Sequence, residues 1–313
     1  MRVLVTGGAG FIGSHLADRL IARGDEVIVI DNLETGIAGN LPDTASLQFY
    51  RASIADRDVV RSVAESHRPT VCVHAAATYK DPEDWSGATR TNVLGTHNVV
   101  QAAAECGCRR LIYLQTSLCY GPSPAALPIP LDARLDPRGA YAATKTIGEE
   151  LVRLFSRQWM SLRLANIYGP RSLSGPVPNF YVRIKAGQKV YVADTRRDFV
   201  FIDDLVELLE MAVDSREVGL YHASSGYDIG IGELYETVAD ELGAEPTGTI
   251  VPRDTEDVAA LRLDPEKTRR TFDWHPSTPL GEGVHAAIQY YSAHDVQTVY
   301  SHLTRPYWST GAD

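Results

Sequence analysis

The glycine pattern that follows the first apolar run constrains this chain more than any other feature. Residues 2–7 (RVLVTG) are rich in β-branched residues and lead into GGAGFIGSHLADRLIARG, where Gly7, Gly10 and Gly13 are spaced as GxxGxxG. A strand that reverses into a helix over so few residues needs a position without a Cβ at the turn, which Gly7 supplies. Gly10 lets backbone approach a pyrophosphate, and Gly13 lets the helix pack closely on the strand. The helix then opens with N–H groups facing the anion. Phe11, Ile12, Leu16, Leu20 and Ile21 provide its buried side, with Phe11 and Ile12 beside the glycines, and Gly24 is the expected stop.

A second strand, EVIVIDN at 26–32, ends in Asp31 and Asn32. A carboxylate there can accept the two adenosine ribose hydroxyls and would repel a 2′-phosphate, which favours NAD over NADP. The competing reading of Asp31 is a loop residue that caps the next turn. A strand near 47–51, a helix near 56–66 and the strand TVCVHAAA at 70–77 continue the alternation, with Ser53 and Ile54, in the connecting loop, expected against the cofactor together with Phe11, Ile12 and Asn32. Ala75, Ala76 and Ala77 are small enough for a flat cofactor to lie against, although small residues are equally at home in a sheet core. The pattern predicts an α/β chain with a Rossmann-like parallel sheet and ligands at the carboxyl edge of its strands.

The strand RRLIYLQTS at 109–117 delivers Thr116 to that edge, and a Pro-rich loop at 122–137 separates it from YAATK at 141–145. Tyr141 and Lys145 lie one turn apart on one side of a helix. A phenol has a reference pKa of about 10 and a lysine ammonium about 10.4, so a cation held beside the phenol favours its phenolate. An isolated YxxxK is ordinary helix surface. Here it shares one expected sheet edge with the glycine turn, Asp31 and Thr116.

Other polar residues are less decided by the sequence. Tyr79 and Lys80, in TYKDPEDW, are candidates for sugar contacts or members of a surface turn broken by Pro82. Asn92 begins the helical pattern NVLGTHNVVQAAAEC and is expected to contact the cofactor or order water. Asn166 and Arg171 leave the sheet in SLRLANIYGPR, after which the regular alternation stops. Arg196 and Arg197 either clasp a diphosphate, since a guanidinium fork matches phosphate oxygens, or compensate Asp194 and Asp198 at the surface. Arg253 and Arg262 are further phosphate candidates. The expected division is 1–166 with about 199–222 as an NAD-binding domain, and about 167–198 with 223–313 as a smaller mixed α/β substrate domain.

Composition excludes several classes. A chain of 313 residues that is 44% hydrophobic has ample material for a buried core. A net charge of −10 disfavours nucleic acid and anionic membrane as partners while leaving room for a local basic pocket. No apolar run is long enough to insert in a membrane, and no signal-peptide pattern precedes the first strand. Cys72, Cys106, Cys108 and Cys119 form neither a four-ligand metal pattern nor a disulfide framework, so a reducing cytoplasm and no metal site are expected.

The combination TGGAGFIGSH (6–15), DNL (31–33), HAAA (74–77), TNVLGT (91–96), TSLCYG (116–121), YAATK (141–145), RLANIYGPR (163–171) and RRDFVFIDD (196–204) resembles the extended short-chain dehydrogenase/reductase family, in its nucleotide-sugar epimerase and dehydratase branch. The resemblance covers nearly the whole chain. HAAATYKDPEDW, QTSLCYG and SGPVPNF look most like bacterial sugar epimerases from O-antigen gene clusters, which implies polysaccharide biosynthesis. The resemblance implies that Tyr141 is the catalytic acid or base, that Lys145 lowers its pKa and holds the nicotinamide ribose, and that Thr116 hydrogen-bonds the reacting sugar oxygen. It places Ser117, Leu118, Asn166, Arg171, Arg197 and Arg253 near the nucleotide sugar, and implies a homodimer through helices at 93–106 and 142–157.

Departures from the family pattern narrow the chemistry. Dehydratases and decarboxylases of this branch carry an acid after the strand-end Thr, where this chain has Ser117 and Leu118. The 3,5-epimerase type has a Cys at position 118; Cys119 is one residue later and is read mainly as packing. Many relatives have Asp where Ser53 stands, and the segment 188–196 is shorter than the usual glycine-containing loop. The expected activity is NAD-dependent epimerisation of a nucleotide-activated hexose at C4 through a transient 4-keto sugar. A nucleotide-sugar 4-ketoreductase or dehydrogenase, or a nonenzymatic dinucleotide sensor, are the alternatives.

Overall fold

The computed structural model describes residues 1–79, 81, 83–253 and 257–300, with Phe155 described by its backbone alone. Lys80 lies outside the described residues. Six strands follow the expected alternation: β1 (Arg2–Thr6), β2 (Glu26–Asp31), β3 (Leu47–Arg51), β4 (Val71–His74), β5 (Arg110–Thr116) and β6 (Trp159–Leu164). With Gly219–Ala223 they form a seven-stranded parallel sheet, ordered from that last strand through β6, β5, β4, β1 and β2 to β3.

Both faces of the sheet are covered, which explains its near-continuous apolar strands. Val3, Val5, Val27 and Val29 pack on one side with Leu16 and Leu20 of helix α1 (Phe11–Ala22). Leu4, Ile28, Ile30 and Leu111 face the other way, against Val60 and Val63 of α2 (Arg57–His67). A short helix α3 (Trp85–Ala88) runs through a π-helical segment, Thr89–Gly95, into α4 (Thr96–Glu105). The helical pattern expected from residue 92 therefore starts earlier and is underwound. Gly95 sits where a Cβ would lie 2.7 Å from the Ile54 side chain. Helix α5 (Gly139–Phe155) packs against α4 and β5.

The chain winds outward from β1 through β2 to β3, then returns to place β4 on the other side of β1. Strand order reverses there, and a crevice opens beyond the carboxyl ends of β1 and β4. The glycine turn and Ala75–Ala77 form its two lips.

The remaining elements build a wall over this crevice. Helix α6 (Pro176–Lys185) begins with a proline, whose fixed φ suits a first helical position and whose missing N–H costs nothing there. It packs against α8 (Ile231–Glu241) and α10 (Leu280–Ala293). Helix α7 (Ile202–Asp214) lies beside α1, and α9 (Glu266–Phe272) beside the strand Gly219–Ala223. Small strands complete the wall: Asn166–Tyr168 pairs with Phe199–Phe201, Tyr191–Ala193 with Thr249–Val251, and Arg196–Arg197 lies between Ile229–Gly230 and Ala260–Leu261. Neither α6 nor α9 is among the elements expected from the sequence, although Val177, Phe180, Tyr181 and Ile184 of α6 recur at helical spacing.

Candidate active site

A cleft of about 420 Å³ follows the carboxyl edge of the sheet and runs beneath α6. Gly7, Gly10, Phe11, Ile12 and Gly13 line its first part with Asp31, Asn32, Ser53 and Ile54; Ala75, Ala76 and Ala77 follow. Tyr79, Thr116, Ser117, Leu118, Tyr141 and Lys145 line its middle, and Asn166 and Arg197 its far end.

The glycine turn has the geometry that an extended phosphate-bearing ligand requires. Gly7 has φ +70°, and a Cβ there would lie 2.7 Å from the Ala76 backbone. A Cβ at Gly13 would collide with the Gly7 carbonyl oxygen, so the helix start can approach the turn only without one. The Asp31 carboxylate accepts hydrogen bonds from Ala9 N (3.0 Å) and Leu33 N (2.8 Å). Burial raises its pKa, while the N–H groups of Leu33, Ala9 and Gly10 oppose that shift. The side chain thus braces the turn as well as facing the cleft, so both sequence readings of Asp31 have a structural counterpart.

Thr116 Oγ1 accepts a hydrogen bond from Leu118 N at 3.2 Å, which leaves its own proton available to donate into the cleft. The Tyr79 ring meets Tyr141 edge-on at 6.1 Å between centroids. Lys145 is buried, with Nζ 4.0 Å from the centroid of the Tyr113 ring. Burial holds Lys145 down to about 7, partly opposed by the Glu149 carboxylate one turn further along α5. Burial raises the Tyr141 phenol, and the Tyr79 phenol adds to that shift. The sequence expectation that Lys145 holds Tyr141 down is therefore outweighed here by burial, which favours the neutral form of both groups.

Three expected ligand contacts point elsewhere. Asn92 is buried behind the cleft, where its Oδ1 accepts from Thr78 N (2.9 Å) and its Nδ2 donates to Thr78 O (3.1 Å) and Thr144 Oγ1 (3.0 Å). Arg171, at φ +66°, turns onto α1 and pairs with Asp18 at 2.8 Å. Arg253 Nη1 donates to the Asp257 carbonyl at 2.5 Å, and its side chain does not line the cleft. Arg196 pairs with Asp228 and Arg197 with Asp257, not with Asp194 or Asp198. Asp198 is fully buried and accepts from Ser224, Ser225 and Leu263. Cys119 is also buried outside the cleft, in a 3₁₀ turn at Ser117–Tyr120, and burial pushes its thiol up to about 12. This position agrees with packing, not acid–base work.

Sequence reasoning did not single out Gln115, Tyr168, Asn179, Arg183, Thr195 or Phe199, all of which line the cleft. Most belong to α6 and the small strands, whose placement depends on long-range packing. Tyr113 and Glu149 were also missed. Glu149 was the more readable, since Tyr141, Lys145 and Glu149 recur every four residues along one face of α5.

A parallel sheet with this glycine turn, and with Thr, Tyr and Lys gathered at its switch point, defines a dinucleotide-dependent short-chain dehydrogenase/reductase site. The NAD dependent epimerase/dehydratase family model matches residues 3–226, and the chain belongs to that family. It is similar to UDP-glucose 4-epimerase of Mycolicibacterium smegmatis, 31% identical over 93% of this chain and 98% of that protein. The Bordetella bronchiseptica enzyme WbmH, solved in complex with NAD+, superposes with a TM-score of 0.91 at 41% identity, covering 94% of this chain and 99% of WbmH. WbmG of the same organism, solved with NAD and UDP, gives 0.89 at 38% identity over 96% and 97% of the two chains. Among the described residues no helix is long and apolar enough to cross a membrane.

Proposed function

We propose that this chain epimerises a nucleotide-activated hexose, with a UDP sugar as the first candidate, at C4 through a transient 4-keto sugar. The observation that carries this reading is the shared cleft of the glycine turn, Thr116, Tyr141 and Lys145, next to Ser117 and Leu118 in place of an acid. Abstraction of a carbon-bound proton needs a base at that position, whereas reversible oxidation of an alcohol does not. The relatives named for UDP-glucose 4-epimerisation and the UDP-bound neighbour support the same substrate class.

Gly7, Gly10, Gly13 and Asp31 would hold NAD, whose chemistry when bound is to accept hydride and return it. Thr116 Oγ1 donates to the reacting sugar oxygen. Tyr141 Oη takes the C4 hydroxyl proton on oxidation and returns it on reduction. Lys145, with a proton affinity near neutrality, takes up a proton as Tyr141 becomes a phenolate, so the pair stays neutral until the C4 proton arrives and then holds one positive charge until that proton is returned. The 4-keto sugar turns over between the two half-reactions.

On this reading the division of labour follows the boundaries expected from sequence: 1–166 with about 199–222 bind NAD, and 167–198 with 223–313 bind the nucleotide sugar. Arg197 and Asn166, at the far end, are the candidate contacts to the diphosphate. A homodimer formed through the helices at 93–106 and 142–157 is part of the same proposal, supported by exposed Leu94, Ile147 and Leu154 on those elements. A cytoplasmic role in polysaccharide precursor synthesis completes it.

The test is product NMR after incubating the protein with UDP, GDP, CDP and dTDP sugars in heavy water. C4 inversion without deuterium uptake is expected. Uptake at C3 or C5 would overturn the mechanism, and stoichiometric NADH consumption would point to a reductase.

A further inference from the structure

β5 continues for three residues past the end of β4, because His74, the last residue of β4, pairs with Tyr113. This shortfall gives the crevice its floor, and leaves Leu114, Gln115 and Thr116 without a β4 neighbour. Gln115 fills part of that gap with its side chain. Its Oε1 accepts from Thr116 N at 2.8 Å, and its Nε2 donates to the Lys145 carbonyl at 3.1 Å. The side chain is 1% exposed, so both contacts are shielded from competing water. Tyr113, two residues back on the same face of β5, donates its hydroxyl to the same Lys145 carbonyl at 2.9 Å and lays its ring against Lys145 Nζ. Gly148 leaves the space for that hydroxyl, which a Cβ there would strike.

We infer that Gln115 is a positioning residue for this reaction: a strut that ties the backbone of Thr116 to that of Lys145 and so fixes the hydroxyl donor relative to the Tyr141–Lys145 pair. This rests on the epimerase reading. The two elements it joins, β5 and α5, are separated by the loop at 122–137, so their relative position is not set by chain continuity. Thr116 Oγ1 is oriented from its own backbone through the contact with Leu118 N, and the Thr116 backbone is what Gln115 holds. Lys145 Nζ is oriented by the Tyr113 ring only while the Lys145 backbone keeps its distance from β5. A shift of about 1 Å between such groups costs on the order of 100-fold in rate.

The experiment compares Gln115→Leu and Gln115→Glu with wild type in the full-length, NAD-loaded protein. Gln115→Leu removes both contacts at similar volume. Gln115→Glu keeps an acceptor for Thr116 N and loses the donor to Lys145 only as the carboxylate, so it is measured from pH 7 to 9, where deprotonation of the buried carboxyl removes that contact. The expected result for Gln115→Leu is a kcat lower by about 10- to 100-fold, with KM and bound NAD within about twofold of wild type; Gln115→Glu falls between. A second readout does not depend on turnover. The chain has five lysines, of which Lys267 also lies over a ring, so in 13Cε-lysine NMR Lys145 is assigned by the resonance lost in Lys145→Met; its ε protons lie over the Tyr113 ring and are displaced upfield. That displacement is expected to shrink in both variants. A kcat within twofold of wild type in Gln115→Leu overturns the strut, as does an unmoved Lys145 resonance. If Gln115→Leu does not fold, the same two measurements on Gln115→Glu decide. Absence of epimerisation by the wild-type protein would overturn the functional reading instead, leaving the resonance to judge Gln115.

Discussion

Glu149 and Arg163 form a doubly hydrogen-bonded ion pair, 2.6 and 3.1 Å, with both side chains less than 5% exposed. Ser161 adds a third donor to the carboxylate at 2.6 Å, and Arg163 also reaches the Tyr120 hydroxyl at 2.8 Å. Tyr120 in turn meets His222 Nε2 at 2.6 Å. The network joins α5, β6, the turn after β5 and the strand Gly219–Ala223. Glu149→Gln leaves a buried guanidinium without its counter-charge, and unfolding in denaturant is expected to show a loss of about 3 kcal/mol or more. A change within 0.5 kcal/mol would mean that the pair is balanced by its other partners.

Tyr141→Phe removes the proton-carrying atom and leaves the ring. Turnover is expected to fall by at least about 100-fold, the usual contribution of a positioned acid–base group. Bound NAD, measured by release and absorbance, should be retained. Activity near the wild-type rate would remove Tyr141 from the mechanism.

The Lys145 charge is disfavoured by burial, which gives a stability prediction with a definite sign. Its pKa is about 7 when folded, against an ordinary lysine value near 10.5. The unfolded chain therefore holds more protons at this site between those values, and the contribution of Lys145 to stability rises with pH across that window. Below about pH 7 the charging cost is carried in full. Lys145→Met is expected to be inactive, to gain melting temperature over wild type at pH 6 and to lose that gain progressively above pH 7. A gain independent of pH from 6 to 9 would contradict the assignment.

Gly13→Ala tests the glycine turn. The added methyl meets backbone on the Gly7 side, which cannot give way as a flexible side chain would. Overpacking of this kind costs about 1–3 kcal/mol, and NAD binding by calorimetry should be lost or weakened at least about tenfold. Unchanged affinity would show that α1 can shift away.

Asp31→Ser tests cofactor choice. It removes the repulsion toward a 2′-phosphate together with the carboxylate that accepts from Ala9 N and Leu33 N. Charge-assisted hydrogen bonds contribute about 1.5–3 kcal/mol each, so NAD affinity should drop by at least about tenfold while NADP loses less. An unchanged ratio of the two affinities would detach Asp31 from the ribose.

The parts of the molecule that were legible in advance are those decided by neighbours in the chain. Gly7 and Gly13 sit in a turn whose shape allows nothing larger, with Gly10 between them, and Asp31 and Thr116 are strand ends, fixed by alternation and topology. Tyr141 and Lys145 needed helical spacing together with the sheet edge they share with the glycine turn, Asp31 and Thr116. Arg171, Arg253 and Asn92 were harder because sequence gives a long side chain's reach but not its direction. Arg171 lies at a positive φ that turns it toward Asp18, and the hydrogen bonds of Asn92 run to Thr78 and Thr144, in segments separated from it in sequence. The short strands of the wall had no periodicity to read, since strands of two or three residues cannot display one; α6 has the helical spacing of Val177, Phe180, Tyr181 and Ile184, but its place over the cleft depends on packing against α8 and α10.

The three hydrogen bonds of Asn92 have a mechanical consequence. They fasten the lip after β4 to α5 through Thr78 and Thr144. The glycine lip is held just as firmly by Gly7 N on Ile30 O and by Asp31 on Ala9 N. The opposite wall is held differently, by packing of α6 against α8 and α10. Directed hydrogen bonds therefore hold the two lips of the crevice, and side-chain packing holds the wall above them.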